Sequence, residues 1–542
     1  MAFSSRTSKA LTLFVAVATA VTLAACGSAK KGGGSSGSAI TVGTTDSVIA
    51  LDPAGSYDFG SLTIEENIYQ FLMQVPAGKK APEPDAAESC SFTKPTEYTC
   101  KMKSGLKFSN GDPLTANDVA FSFQRVVDIA NPNGPSSLLG NMKSVAATDA
   151  STVVFTLNNP NDQTFPFVLG TSAGPIVDSK VFPAKKLLPD NQVIGSGPYM
   201  ISSAPGAYSK NQLAQFTANP NYSGPNTPKT NTVTMKYYTT SDNLKLDVQS
   251  GNIDVAYRTL SPTDIASLKS DSNVKVLTGS GGELRYLVFN LKTMPGDNDA
   301  QKLAIRQAMA YSIDRQDLAT NVYKGTYQPA YSMVPQGIGF ATEPFKDVYG
   351  DTPNPDKAKQ VLDAAGVQTP VSLHIDYVSD GHYGPTSGDE YNQLKRQLEA
   401  TNLFKVEIQG TAYTTYSAER VKDTYPIYQL GWFPDFVDGD NYLFNFLNPS
   451  NFVHAHYCDN QGPTAPCVKD GVLPLLTQEE TQSGQARADA FTQIQKILAT
   501  GTMPYLPLLS GYQVAVSGTS VSGVQETLDP TYLFRMWLLS KS

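Results

Sequence analysis

Residues 428–442 read Tyr-Gln-Leu-Gly-Trp-Phe-Pro-Asp-Phe-Val-Asp-Gly-Asp-Asn-Tyr. A short apolar run ends at Gly431, and the carboxylates Asp435, Asp438 and Asp440 follow, interleaved with Trp432, Phe433, Phe436 and Tyr442. Pro434 and Gly439 break regular structure here. Acid beside aromatic in a loop after a strand suits a pocket for something cationic and partly flat. A solvated acidic turn with Trp432 packed beneath it is the alternative, so Trp432 is either a pocket wall or a core residue. Asp438 and Asp440 could also hold a helix N-terminus or a calcium ion. Calcium wants six to eight oxygens, and the segment offers at most half of them.

Other chemistry finds less support. His454-Ala455-His456 is at best half of a metal site, since only His374 and His382 remain in the chain and no cysteine or acid is spaced to close the set. Loop histidines are the simpler reading, and no metal and no cofactor is expected. Asp435 and Asp438 as a glycosidase pair lie on one loop, whereas such pairs flank the scissile bond from opposite sides. There is no His-Glu-x-x-His and no phosphate-binding glycine loop. Gly33-Gly34-Ser35-Ser36-Gly37 matches a hydrolase nucleophile elbow formally, but a linker supplies no strand–turn–helix around it. The chain is read as a non-enzyme, with an exported hydrolase as the rival from another class.

The elements that must position these residues begin after an export signal. Arg6 and Lys9 precede the apolar run Ala10–Leu23, which is too short to span a bilayer comfortably. Leu23-Ala24-Ala25-Cys26 resembles a bacterial lipobox, implying cleavage before Cys26 and lipidation of its sulfur; an ordinary cleaved signal is the alternative. Loss of residues 1–25 takes the formal charge from −8 to −10, and an acidic balance argues against nucleic acid. Residues 26–38 form a Gly/Ser-rich tether, placing the protein on the outer face of the cytoplasmic membrane, anchored there and not spanning it. Cys90 with Cys100 and Cys458 with Cys467 are close pairs in an exported chain, so two local disulfides are expected.

A chain of 542 residues exceeds one core. Strands are predicted at 39–43, 97–103, 106–108, 232–238, 253–257, 284–289, 371–377, 404–408, 427–430 and 505–509. Amphipathic helices are predicted around Ile64–Leu72, Val119–Val126, 242–250, 299–313, from Pro355 to Gly366, and around Tyr391–Leu398, Tyr416–Val421 and Phe491–Leu498. Thr115 with Asp118 makes an acidic capping box. Such strand–helix alternation is an α/β pattern, in which ligands bind beyond the carboxyl ends of strands; Gly431–Asn441 lies in such a place.

Several of these blocks carry a resemblance. Phe108-Ser-Asn-Gly-Asp-Pro-Leu-Thr-Ala-Asn-Asp-Val-Ala-Phe-Ser-Phe-Gln-Arg125 is similar to the most recognisable block of the family 5 extracellular solute-binding proteins. Gly195-Ser-Gly-Pro-Tyr199, Asn219-Pro-Asn-Tyr222, Gly251-Asn-Ile-Asp254, Tyr286-Leu-Val-Phe-Asn290, Ile305–Arg315 and the opening stretch follow in the family's order. The resemblance implies a two-lobed periplasmic-binding-protein-like fold of type II with an extra subdomain in the first lobe. Mapped here, lobe I is 39–280 (57–185 the extra subdomain) with a return at 504–542, and lobe II is 281–503. The chain crosses between them near Leu277–Gly282 and Gly501–Tyr505. It further implies a monomeric lipoprotein that captures peptides and delivers them to the permease subunits of an ABC importer; an oligosaccharide receptor of the same fold is the alternative. An aspartate matching Asp435 in a Gly-Trp-x-x-Asp motif takes the ligand's α-ammonium in peptide-binding members. The candidate ligand set is Asp435, Trp432, Gly431, Phe433, Asp438, Tyr57, Tyr286 and Asn290. Asp438-Gly439 replaces the family's Asp-Pro, which puts a ligand role for Asp438 in doubt.

Overall fold

The computed structural model describes residues 39–459 and 462–542. The expected export signal, Cys26 and the tether to Ser38 lie outside these residues. The fold is α/β and two-lobed, and each lobe is built on one large sheet.

The first sheet has eight strands. At its centre Ile40–Thr44 pairs parallel with Thr232–Tyr237 and with Val255–Tyr257. The Thr232–Tyr237 strand leads into the helix Ser241–Ser250, which Gly251 ends in the left-handed conformation before the chain returns as Val255–Tyr257. Glycine takes that backbone state without a Cβ penalty.

The second sheet runs Tyr327–Pro329, Tyr505–Gly511, Leu284–Phe289, Ile427–Trp432, Val371–Val378, Phe404–Thr411. Its last three strands are mutually parallel. All six residues of Leu284–Phe289 are buried. Tyr286 and Val288 face one apolar cluster, Leu287 and Phe289 another, because helices and loops cover both faces.

A four-stranded antiparallel sheet, Ala87–Lys94, Glu97–Met102, Thr152–Leu157 and Met142–Ala147, packs with the helix Ala116–Ile129 as the extra subdomain. The Asp118 carboxylate accepts from the Thr115 backbone N–H at 2.9 Å, at the start of that helix. Residues 106–108 are not a strand; Lys107 makes only an isolated bridge to Pro113. Both disulfides are present. Cys90–Cys100 joins directly opposed positions of two paired strands, and Cys458–Cys467 ties a loop to the short helix Pro466–Lys469.

Two segments connect the large sheets side by side. Val274–Gly279 lies antiparallel to Gln513–Gly518 in the first sheet, and Leu284–Phe289 lies antiparallel to Tyr505–Gly511 in the second. The ribbon therefore changes sheets at residues 280–283 and at Tyr512. The second crossing was expected near Gly501–Tyr505; it falls a whole strand later, since Tyr505–Gly511 bonds to the second sheet.

Candidate functional site

The parallel strands of both sheets point their carboxyl ends at one cavity of about 890 Å³. From the first sheet come Thr45 and Asp46, Thr239 and Thr240, and Arg258 and Thr259. From the second come His382 and Tyr383, Tyr413, and Gly431 to Asp435. Six strand ends thus supply the walls, and the crossover residues Glu283, Tyr512 and Gln513 floor them. This is where α/β sheets hold ligands, because loops there vary while the strands fix their origins.

Asp435 stands three residues beyond the strand Ile427–Trp432. One carboxylate oxygen accepts from the Tyr57 hydroxyl and the other from Asn441 Nδ2 at 3.1 Å. Among the described residues no Lys, Arg or His pairs with it. Burial raises its pKa above the ordinary aspartate value, while the Tyr57 and Asn441 hydrogen bonds pull the other way. Asn441 Oδ1 also accepts from the Asp435 backbone N–H and from Trp432 Nε1, each at 3.0 Å. One buried asparagine therefore fixes both the acid and the tryptophan.

The half-exposed Trp432 lines the cavity and also packs on the core, its ring stacked near Phe452 at 5.6 Å and edge-on to Phe446 at 5.2 Å. The two roles posed as alternatives coexist. His382 stacks on Tyr413 with ring centres 3.5 Å apart, extending the aromatic wall. A Cβ on Gly431 would sit 2.8 Å from the Tyr383 ring, so only glycine lets that ring close over the strand end. Phe433 packs against Phe59 of the first lobe at 5.3 Å. Tyr57–Asp435 and Phe59–Phe433 are thus adjacent contacts between the two lobes.

Of the residues expected to meet a ligand, the structure brings together Tyr57, Gly431, Trp432, Phe433 and Asp435. It places three elsewhere. Tyr286 is fully buried against Phe446 and Tyr505, because its strand is covered on both faces. Asn290 closes the turn after that strand, its Oδ1 accepting from the Lys292 N–H at 3.0 Å and its Nδ2 donating to Asp423 at 3.0 Å. Asp438 is clamped by both terminal nitrogens of Arg487 at 2.8 Å and caps the turn Gly439–Tyr442. His456 hydrogen-bonds Asp423 at 2.5 Å, outside the cavity.

Against known proteins, the family model described as "Bacterial extracellular solute-binding proteins, family 5 Middle" matches residues 81–453. The chain belongs to this family. Among relatives of this solute-binding protein, heme-binding protein A of Haemophilus influenzae is 26% identical over 494 residues, covering 84% of each chain. The probable D,D-dipeptide-binding periplasmic protein DdpA of Escherichia coli is 27% identical over 497 residues, covering 88% of this chain and 90% of its own. The fold matches that of the periplasmic binding protein DppA from Helicobacter pylori, solved with the peptide STSA. The TM-score is 0.71 at 21% identity, over 93% of this chain and 98% of that one.

Sequence reasoning missed Asn441, Arg258 and the pair His382–Tyr413. Asn441 sits in the singled-out stretch, but an asparagine after an acid reads as a turn residue. Arg258 and His382 carried a usable signal: each lies just past the carboxyl end of a predicted parallel strand.

Proposed function

We propose that this solute-binding protein captures peptides between its lobes by hinge closure and hands them to an ABC importer. The observation that carries the reading is Asp435, a largely desolvated carboxylate at a strand end in the inter-lobe cavity, bonded by neutral groups and, among the described residues, by no cation. A ligand α-ammonium completes it with a charge-assisted hydrogen bond, about 1.5–3 kcal/mol. A relative named for D,D-dipeptide binding supports the cargo class. Tyr57, Trp432, Phe433 and Gly431 would shape the space around the first residue, and exposed backbone at the strand ends would pair with the peptide chain.

In the same reading Cys26 carries the lipid anchor, the tether gives the receptor reach to its permease, and the lobes divide at the two ribbon crossings at 280–283 and Tyr512. Titration calorimetry with a free-amino tripeptide and its N-acetyl form tests the assignment. Acetylation and Asp435→Ala should each weaken binding by about 10-fold or more. Tight sugar binding indifferent to Asp435→Ala would instead establish an oligosaccharide receptor, and release of product from peptide or glycoside would establish a hydrolase.

A further inference from the structure

The two lobes meet at a second seam. Phe167, on the short helix Phe165–Val168 beside the four-stranded sheet, packs against Phe436 of the loop after Ile427–Trp432, with ring centres 5.7 Å apart. Just before that helix the Gln163 N–H donates to the Glu480 carbonyl at 2.9 Å, and Glu480 lies in the last turn of the helix Val472–Thr481. Phe167 and Phe436 both line the ligand cavity, so the seam borders the site.

Acids crowd this seam. On the first-lobe side stands Asp162, whose acceptor sites are filled by its own subdomain. One oxygen accepts from the Thr164 and Phe165 N–H groups at 2.8 and 3.1 Å, the other from Asn141 Nδ2 at 2.7 Å. On the second-lobe side are Glu479 and Glu480 of the helix and Asp440 of the turn Gly439–Tyr442. Arg487 is the cation beside them, and both its terminal nitrogens are clamped on Asp438 at 2.8 Å, with Glu479 at 3.5 Å. Among the described residues, no cation and no hydrogen bond reaches the half-buried Glu480 carboxyl. Burial and the charges of Asp440 and Asp162, each from a different element, push it up to about 8.

Of these groups only Asp162 belongs to the first lobe. Opening would carry it away from Glu480, break the Gln163–Glu480 bond and admit water. An exposed glutamate gives up its proton near the ordinary value of about 4.3. Asp162 acts on Asp440 as well, but Asp440 and Glu479 lie together within the second lobe, so Glu480 is the carboxyl whose surroundings change most. We propose that ligand capture by this protein is proton-linked: closing the lobes traps a proton on Glu480, and reopening returns it. The inference rests on the hinge closure proposed above. Its sign follows from linkage, since the form that binds the extra proton is favoured as pH falls. Between the ordinary glutamate value and about 8, the closed form gains up to about tenfold for each unit of acidification.

Titration calorimetry of the full chain with Ala-Phe-Ala at pH 6.5, in two buffers of different ionisation enthalpy, counts the protons taken up on binding. The ligand's amino group and Asp435 contribute alike in every variant, so the difference between proteins isolates Glu480. The wild type should take up about one-half to one proton more than Glu480→Gln, which mimics the protonated side chain. The affinity of Glu480→Gln relative to the wild type should grow about tenfold or more between pH 5.5 and pH 7.5. Equal proton numbers with parallel pH profiles overturn the proposal. So does a Glu480→Gln protein weakened by the same factor at every pH, which marks a purely structural side chain. If Glu480→Gln does not fold, Glu480→Ala removes the same carboxyl and is read in the same way. Binding of Ala-Phe-Ala with no excess proton in the wild type overturns this inference alone; no binding at all overturns it together with the reading beneath it.

Discussion

The residue on which the site turns is Asn441, which touches the cavity only through others. Its amide oxygen accepts from Trp432 Nε1 and from the Asp435 N–H, and its nitrogen donates to the Asp435 carboxylate. An amide does this where an acid cannot, because it offers donor and acceptor a bond apart. Asn441→Ala leaves a buried indole N–H and a backbone N–H without partners, at about 1–3 kcal/mol for each such group. The variant should melt several degrees lower and bind a free-amino tripeptide at least tenfold more weakly, although no atom it removes contacts the ligand. An unchanged affinity at a lowered melting temperature would show that Asp435 holds its place without this asparagine.

At the scale of elements, the loop after Ile427–Trp432 is bound both to the crossing segment at 280–283 and to a helix behind it. Tyr442 Oη donates to the Gly282 carbonyl at 2.6 Å, so the loop rests on the crossing segment. On its far side Asp440 lies beside Glu479 of the helix Val472–Thr481, both buried, with the Arg487–Asp438 pair adjacent. Burial pushes Asp440 up to about 7 and the neighbouring Glu480 up to about 8, and it holds Glu479 well above the usual carboxylate range. Folded carboxyls with raised pKa values keep protons that the unfolded chain releases. Their contribution is complete below the ordinary carboxylate pKa and is lost as pH rises through 7 to 8. The melting temperature should accordingly fall between pH 5.5 and pH 8.5, and Glu479→Gln should flatten that fall by donating to Asp440 without a titrating proton. An undiminished slope in Glu479→Gln would place the titration elsewhere. This cluster was invisible in the sequence, where Glu479 and Asp440 are 39 positions apart. What was legible were elements with strong local signals. Leu284–Phe289 is apolar but for Arg285, Val371–Val378 alternates, and Pro355 after Asn354 starts a helix whose N-cap bond, from the Lys357 N–H to Asn354 Oδ1, is 3.0 Å long. Gln513–Gly518 was not legible, since a short strand rich in small residues takes its identity from the partners it pairs with. Missing it displaced the second crossing by a strand. Tyr286 and Asn290 failed as site residues for a related reason: a run of residues in one strand does not reveal whether one face or both are covered.

For the whole molecule, the proposed closure requires two large sheets to move as bodies about a cavity they both line. Each sheet has its own apolar core, and the parts joining them are the paired crossings at 280–283 and Tyr512. The ribbon stays hydrogen-bonded through the crossing, with the Gly511 N–H donating to the Glu283 carbonyl at 3.0 Å. In the proposed closure it would therefore flex as a unit, without melting. Between the two crossing segments the tight point is Gly281, where an added Cβ would lie 2.0 Å from the Gly511 carbonyl oxygen, a backbone atom with no side chain to swing away. A methyl there must spread the two crossing segments, while the cores on either side keep every contact. The proposed closure instead depends on the angle between lobes, since it must bring Tyr57 to Asp435 and Phe59 to Phe433, the contacts seen here. Gly281→Ala should fold with both disulfides formed and a small loss of melting temperature. It should bind tripeptide more than tenfold more weakly and show little of the ligand-induced contraction that small-angle scattering should record for the wild type. At 100 times its Kd a ligand stabilises the folded state by about 2.7 kcal/mol, so matching free ligand to each protein's own Kd gives both the same linkage term. Any remaining difference in contraction then reports the hinge alone. A variant that contracts as fully as the wild type would show that closure does not pass through this approach of backbone to backbone.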